Sequence, residues 1–390
     1  MQVATTTNNL FCPHSDIEAE FFKSLVSCPK EQLRKRRTSI SPIALNIYIP
    51  SNANSTYPGL VSREIELIQP VFRYQPLVKF WLRNRPLKGM NRGELTELVF
   101  LSNSYFNPRN KKACEYGFEC TLTDITTEKL ALMKGLHFDC FRLTINAAIP
   151  PHKQQYTSIL TTASNFRFGE WYCCLQVNQA DPDTLDHWLT ELIRYQPAII
   201  ELQGLQTMEG AATLSQLSRR MSSQHYQLMA DRFFVIQGHK LLQLRQSKTL
   251  QYTPWGMARD SLIDWVGIGL GALGKLGDGY YQNTDSIHDY RQALDEKHLP
   301  VHCTGLFPDH QPQNLPPWQL VNQLLCFHRV HLTSCDLTIK LCPELAKLFQ
   351  HALSLGWLTR ESDYLVLSIQ GLDHLRYFCD SLQACRCNGR

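Results

Sequence analysis

Apolar positions fall into two rhythms that alternate from residue 44 onward. Short runs at 44–49, 77–82, 117–123, 140–147, 171–178 and 198–205 are apolar nearly throughout and read as strands buried on both faces. Between them, 61–73, 93–105, 127–136, 154–165 and 183–195 carry apolar residues every three to four positions, the helix period. Leu185, Trp188, Leu189 and Leu192 show it clearly, with Pro182 near the helix start. Strands alternating with helices imply right-handed crossovers and a parallel sheet. Six such units suit either a curved partial barrel or an open doubly wound sheet, and periodicity leaves both open. In either architecture a ligand is expected at the C-terminal ends of the strands.

Past residue 205 the rhythm loosens. The segment 226–235 reads as a further strand region, and 265–276 is rich in glycine. From Pro316 the pattern becomes helix (318–330), helix (343–358), short strand (364–369) and helix (371–384), the order of a small winged or helical domain. The Pro-rich stretch 306–317 is the expected hinge. The expected organisation is an arm (1–40), a βα body (41–305) and a C-terminal domain (306–390).

Composition narrows the class. At 390 residues, 43% hydrophobic and 19% charged, the chain can bury a large core and has none of the bias of a disordered protein. A net charge of +4 does not call for a nucleic-acid partner, although it suits a polyanionic small molecule. The run Arg34, Lys35, Arg36, Arg37 reads as a solvated cluster ahead of the first strand. The N-terminal stretch lacks a basic segment followed by an apolar one, and no apolar run is long enough for a membrane span, so a cytoplasmic location is expected. The 14 cysteines include no CxxC; the tightest group is Cys379, Cys385 and Cys387. Thiols acting as small buried apolar side chains are expected, with no metal site.

Few motifs carry chemistry. Gly269, Gly271 and Gly274 give GLGALG, a formal GxGxxG, with Asp289 or Asp295 downstream as the acid a dinucleotide fingerprint needs. The residues that follow, Lys275-Leu276-Gly277-Asp278-Gly279, break helices, so a glycine-permitted turn is the plainer reading and nucleotide binding the alternative. There is no GxxxxGK[ST], HExxH or GxSxG. His328 and His331 lack the partners of a metal pair, and no catalytic acid–base pair can be assigned.

The same glycine-rich segment carries a family resemblance. Val266-Gly267-Ile268-Gly269 through Gly277-Asp278-Gly279-Tyr280-Tyr281-Gln282-Asn283 resembles the GxG…GDxYxQN segment of oxygen-independent coproporphyrinogen III oxidases, which are radical S-adenosylmethionine (SAM) enzymes. Tyr226–Phe233, His288–Pro300, Leu324–Phe327 and Gly371–Arg386 resemble further family segments, and 44–205 is similar in register. The resemblance implies a partial (β/α)6 barrel with a small C-terminal helical or winged domain. It also implies oxidative decarboxylation of two porphyrinogen propionates, with a four-iron four-sulfur cluster and SAM as cofactors.

This chain departs from that pattern at the cofactor end. Where the family opens CxxxCxxCxC, it has Tyr48-Ile49-Pro50-Ser51-Asn52-Ala53-Asn54-Ser55-Thr56, and no cysteine lies between Cys28 and Cys114. The family's SAM-binding GGGTP corresponds to Leu82-Arg83-Asn84-Arg85-Pro86, while Glu119 matches a SAM-contacting glutamate. The family's next two contacts fall on Ala148 and Gln176. The resemblance with these departures implies a cluster-less, non-catalytic relative that binds a tetrapyrrole or acts on a haem-pathway protein. An active oxidoreductase with other cluster ligands is the alternative. The cofactor-facing candidates are Glu119, Gly267, Gly269 and Asp278. The substrate-facing candidates are Arg83, Arg85, Asp231, Arg232, Lys275, Tyr280, Gln282 and Asn283, the arginines and the lysine being suited to propionate carboxylates.

Overall fold

The computed structural model describes residues 26–27, 42–72, 75–106, 114–149, 153–178, 181–204, 214–230, 232–253, 256–259, 263–277, 279–306, 317–332 and 343–384. The basic run 34–37, most of the hinge, Cys28, Cys385 and Cys387, Asp231 and Asp278 lie outside them.

The strands are β1 (Val26–Ser27), β2 (Ile43–Ile49), β3 (Leu77–Asn84), β4 (Glu115–Thr121), β5 (Cys140–Asn146), β6 (Glu170–Gln176), β7 (Ile199–Gln203), β8 (Tyr226–Leu228) and β9 (Phe233–Ile236). They continue with β10 (Leu250–Thr253), β11 (Gly256–Arg259), β12 (Asp264–Ile268), β13 (Leu273–Leu276), β14 (Gly279–Asn283) and β15 (Val301–Leu306). One 13-stranded sheet runs β1-β15-β14-β13-β12-β2-β3-β4-β5-β6-β7-β9-β8. It is parallel from β12 through β7 and antiparallel outside that stretch. Among the described residues the sheet is open, since β1 and β8 end it without pairing to each other. This is the mixed α/β class expected from the alternation, and the partial-barrel form is the one the resemblance implies.

Helices α1 (Tyr57–Phe72), α2 (Pro86–Gly89), α3 (Arg92–Tyr105), α4 (Thr127–Gly135), α5 (Lys153–Asn165) and α6 (Pro182–Arg194) fill the crossovers. Their starts are chemically marked. Asn91 and Glu94 form a reciprocal capping box on α3, Thr126 caps α4, and Asp181 caps α6 with Pro182 in its first turn. The outward strand positions, among them Ile43, Leu45, Ile47, Phe80, Leu82, Phe118, Phe141, Leu143 and Leu175, pack with the helices in one core. The alternate positions face the hollow of the sheet and are largely polar: Asn46, Arg83, Glu119, Arg142 and Glu201.

Some boundaries differ from the sequence reading, each for a local reason. The stretch 117–123 is strand only from 115 to 121, after which Asp124 N–H closes a turn onto the Thr121 carbonyl. The region 226–235 is the antiparallel pair β8–β9, and 265–276 folds into β12 and β13, hydrogen-bonded to each other. Helix α10 (Pro317–Phe327) stops at His328, whose φ of 54° leaves the helical region, and β16 (Arg329–His331) follows. Helix α11 (Pro343–Ser354) ends before Gly356, at φ 71°, and 358 opens β17 (Leu358–Glu361) rather than closing the helix. With β18 (Tyr364–Leu367), these strands form a small sheet ordered β16-β18-β17, and α12 (Leu375–Ala384) completes the segment.

A second core joins this C-terminal segment to the end of the main sheet. Leu320, Leu324, Leu325, Phe349, Leu375 and Phe378 share it with Met229, Phe233, Val235, Leu250 and Tyr252. Such a joint core holds two chain segments together without a peptide link between them. Proteolysis within 307–316 is therefore expected to leave two fragments that co-elute on size exclusion. Elution as separate folded pieces would contradict the joint core.

Candidate functional site

The strand alternation lays a chain of buried charges across the hollow. Arg83, near the C-terminal end of β3, donates from Nε to Asn46 Oδ1 at 2.8 Å and from Nη1 to Glu119 Oε1 at 2.9 Å. The other Glu119 oxygen accepts the backbone N–H of Asn84 at 2.7 Å. Arg142 on β5 lies 3.5 Å from Glu119 Oε1 and donates to Glu201 Oε2 on β7 at 2.6 Å. Arg232 completes the series, 3.7 Å from Glu201 Oε1. The five ionic side chains are each at most about a tenth exposed. Burial raises the Glu119 carboxyl, but Arg83 and Arg142 beside it, with the bonds from Arg83 and Asn84, bring it below its ordinary value.

Asn84 sits at φ 66°, the left-handed region, where the family pattern has glycine. It can do so because asparagine tolerates that region better than most residues. Arg85, two-thirds buried, swings the other way. Its Nε donates to Asp124 Oδ2 at 2.6 Å, its Nη2 reaches Asp124 Oδ1, and the same nitrogen contacts Thr121 and Thr123 at 3.1 Å. The Asp124 carboxyl feels burial pushing it up and the Arg85 contacts pulling it down, and the net shift is downward. Both arginines at the strand mouth thus rest on carboxylates of their own chain.

The glycine-rich segment does a different job. Gly267 lies where a Cβ would strike the Leu273 backbone, and Gly269, at φ 107°, lies against the Tyr48 carbonyl and the Tyr57 hydroxyl. The Gly269 N–H donates to Glu64 Oε2 on α1 at 2.8 Å, and Asn283 Nδ2 donates to Glu64 Oε1 at 2.7 Å and to the Gly269 carbonyl at 3.0 Å. Tyr290 of α9 (Ile287–Asp295) donates its hydroxyl to Glu64 as well. Tyr57 OH donates to the Tyr48 carbonyl at 2.7 Å and accepts the Leu270 N–H at 2.9 Å. Burial pushes the Glu64 carboxyl up to about 7 against the pull of the Tyr290, Gly269 and Asn283 donors. The segment therefore latches β12–β14 onto α1 and α9. It runs strand, turn, strand, and no helix opens at GLGALG, so the helix N-terminus on which a dinucleotide fingerprint sets its pyrophosphate is missing there.

The candidates fall into three places. Arg83, Glu119 and Arg232 join the buried charge chain, and Arg85 stands at its rim. Gly267, Gly269 and Asn283 belong to the latch. Lys275 and Tyr280 are register partners, and Lys275 also lies opposite Trp265, so the three share one face of the sheet, with Gln282 two residues further along it. Asp231 and Asp278 are outside the described residues. Asn46, Glu64, Arg142 and Glu201 were not among the candidates. Each is a polar or charged residue inside an otherwise apolar run, a usable signal because such residues are almost never buried unpaired.

No protein-family model matches the chain. Over 326 residues it is 19% identical to the oxygen-independent coproporphyrinogen III oxidase of Pseudomonas aeruginosa, covering 70% of this chain and 71% of that protein. An 88-residue stretch is 31% identical to the enzyme of the same name from Helicobacter pylori, 23% of this chain and 19% of that one. In three dimensions it superposes on the coproporphyrinogen III oxidase of Escherichia coli, described as a radical SAM enzyme, with a TM-score of 0.73. That match covers 91% of this chain and 93% of the other at 14% identity. The chain is thus similar over most of its length to an oxygen-independent coproporphyrinogen III oxidase and shares the fold of the Escherichia coli enzyme.

The resemblance to a radical SAM enzyme is what would imply an iron–sulfur cluster and SAM. In this chain the loop between β2 and α1 offers only neutral oxygen donors, from Ser51, Asn52, Asn54, Ser55 and Thr56. One of these is already engaged: Asn54 Oδ1 accepts from the Thr56 N–H at 3.2 Å and its hydroxyl at 2.7 Å. Hydroxyls and amides do not substitute for thiolates on iron, so the loop does not fit the cluster. Among the described residues no group of His, Cys, Asp and Glu is arranged to hold a metal. Burial pushes the Cys114 and Cys140 thiols up to about 12, which disfavours the thiolate form. The oxygens of Glu119, the residue that the resemblance matches to a SAM contact, already accept from Arg83 and from Asn84. Among the described residues no helix is long and apolar enough to cross a membrane.

Proposed function

We propose that this protein is a cluster-less, non-catalytic coproporphyrinogen oxidase relative, a pseudoenzyme that holds a propionate-bearing tetrapyrrole without transforming it. The observation that carries this reading is the occupation of the cofactor end by the chain itself. Arg83 sits on Glu119, and the loop that would present cluster thiolates carries serine, asparagine and threonine. A guanidinium hydrogen-bonded to that carboxylate supplies the cation which a SAM ammonium would otherwise bring, and burial of the pair leaves no gain from exchange. Neither cluster nor SAM is part of this reading. Anaerobic incubation with iron and sulfide is expected to leave the protein colourless. A stable brown species with thiolate-to-iron absorbance would restore the alternative of an active oxidoreductase with other ligands.

Tetrapyrrole binding is supported by kinship and by the cations at the strand mouth, the end where barrel folds of this kind take their ligands. Arg85 is the better candidate for a propionate. Its side chain is 31% exposed against 7% for Arg83, so it can meet an incoming carboxylate at its exposed edge while it keeps the buried Asp124 paired. Fluorescence titration with coproporphyrin is expected to show saturable binding that Arg85→Ala weakens by roughly tenfold, the loss of one charge-assisted contact. Equal binding by that variant would remove Arg85 from the site. No binding by the wild type would leave a haem-pathway protein as the partner of the scaffold.

A further inference from the structure

Away from the strand mouth, a second pair of arginines meets where one end of the main sheet joins the C-terminal segment. Arg245 lies in the last turn of α8 (Lys240–Gln246), and Arg329 opens β16 just after α10. Arg245 Nη1 donates to the Leu228 carbonyl of the end strand β8 at 2.9 Å and lies 3.9 Å from Met229 Sδ. Its Nη2 donates to His328 Nδ1 at 3.1 Å. His328, at φ 54°, is the corner between α10 and β16, so an arginine of the body is held by a corner of the C-terminal segment.

Every acceptor that holds Arg245 is neutral. Burial pushes the His328 imidazole down to about 3, so the ring accepts without carrying charge. Burial also pulls the Arg245 guanidinium below its ordinary value, and the charge of Arg329 adds to that pull. The nearby Cys326 thiol would offset it only as a thiolate, and burial pushes that thiol up to about 12. Among the described residues no carboxylate pairs with Arg245 or with Arg329. The contrast within the molecule is plain: Arg83, Arg85, Arg142 and Arg232 each rest on a carboxylate. A half-buried guanidinium with only neutral acceptors has lost hydration that nothing of opposite charge replaces.

Arg329 is held by a ring instead of an acceptor. Its Cζ lies 4.6 Å from the ring centroid of Tyr364 on β18. Contact through the face of the guanidinium leaves its N–H groups, which lie in the plane, free to donate. Arg245 Nε also has no acceptor among the described residues. None of these nitrogens is sealed from solvent, unlike the unpartnered Nε2 of His328. Two cations with unspent donors therefore sit side by side, one from the body and one from the C-terminal segment. They repel each other until an anion comes between them. Two positive charges without a carboxylate match a dianion better than a monoanion. A planar carboxylate spends both oxygens on one guanidinium fork, whereas a phosphate offers three terminal oxygens in a tetrahedron and can meet two forks that are not coplanar.

We propose that this joint binds a phosphate group, as inorganic phosphate or as a phosphate monoester, between Arg245 and Arg329. His328 is a positioning residue, the neutral acceptor that fixes Arg245. The bound anion ties α8 to β16 and so strengthens the hold of the C-terminal segment on the sheet. The site is independent of the tetrapyrrole reading, because it shares no residue with the buried charge chain, the latch or Arg85.

The test uses the full-length protein in chloride buffer at neutral pH and fixed ionic strength. Inorganic phosphate, phenyl phosphate and acetate are the probes, read by titration calorimetry and thermal shift. Saturable phosphate binding with a dissociation constant below about 1 mM is expected, with acetate at least about tenfold weaker. Tighter binding of phenyl phosphate would identify a monoester as the ligand, and equal binding the free ion; both support the site. Arg329→Gln is expected to weaken phosphate about tenfold, the loss of one charge-assisted contact, and to remove the phosphate-induced rise in melting temperature. No saturable phosphate binding would overturn the proposal, as would equal affinity for phosphate and acetate, or unchanged phosphate affinity in Arg329→Gln. Should that variant fail to fold, Arg245→Gln, whose amide can still donate to the Leu228 carbonyl, provides the second arm. Weakened phosphate binding there supports the site, and unchanged binding overturns it.

Discussion

Replacing Glu119 with alanine should destabilise the protein by about 3–5 kcal/mol, the cost of removing one member of a buried ion pair and leaving its partners uncompensated. The expected size follows from what the carboxylate holds: Arg83 at 2.9 Å, Arg142 at 3.5 Å and the backbone N–H of Asn84 at 2.7 Å, all in the interior. The double variant Glu119→Ala/Arg83→Ala should lose less than the sum of the two single losses, because the second change removes a charge the first has stranded. The pH signature is specific. The Glu119 carboxyl is held below its ordinary value, so its contribution is complete above the unfolded carboxyl pKa of about 4.5 and is lost as pH falls through the lower folded one. Urea denaturation midpoints between pH 3 and 6 should therefore fall more steeply for the wild type than for Glu119→Gln. Parallel curves would show that the carboxylate is not paired in solution.

Glu64 should give the opposite slope. Burial pushes its carboxyl up to about 7, so its protonated form is favoured in the folded state relative to the unfolded chain. The stability tied to that proton is full below about pH 4.5 and is lost as pH rises through about 7, a span of about 3 kcal/mol at most for a shift of this size. Glu64→Gln should flatten stability between pH 5 and 8, and Glu64→Leu should cost several kcal/mol at any pH. The leucine variant leaves the Gly269 N–H, the Asn283 amide and the Tyr290 hydroxyl without their acceptor. Thermal melts across that range read both effects. A Glu64→Gln variant that tracks the wild type would mean that Glu64 stays ionised throughout.

Much of the body was legible because period alone distinguishes a doubly buried strand from an amphipathic helix. The stretches 44–49, 77–82, 140–147 and 171–178 lie at or within two residues of strand ends. The misses lie where strands are short. At 226–235 the chain reverses within a few residues, and a window long enough to detect a period blurs two short antiparallel strands into one; at 265–276 the glycines marked a turn but not the strands on either side of it. The arginines of 83 and 85 were readable as cations at a strand mouth. Their engagement with Glu119 and Asp124 was not, since those carboxylates lie 36 and 39 residues further along and meet them only through strand order. The latch around Glu64 was hidden for the same reason: the sequence marks Gly269 and Asn283 but gives no sign that one glutamate on α1 gathers them with Tyr290.

The position of β2 has a consequence for synthesis. Among the described residues it is the first long strand made, and it ends in the middle of the sheet, between β3 and β12. Asp264 of β12 lies opposite Ile43, so the second neighbour of β2 emerges 221 residues after it. At ordinary translation rates that is a wait on the order of 10–45 s. Throughout it one side of β2 presents bare amides and carbonyls on a ribbon of Ile43, Leu45, Ile47 and Ile49, a surface prone to pairing with another nascent chain. The partial barrel is thus completed backwards, its first strand waiting for a late one to cover it. Ribosome spacing, chaperone supply and the speed of the β3–β7 additions decide how much of the protein survives to be folded.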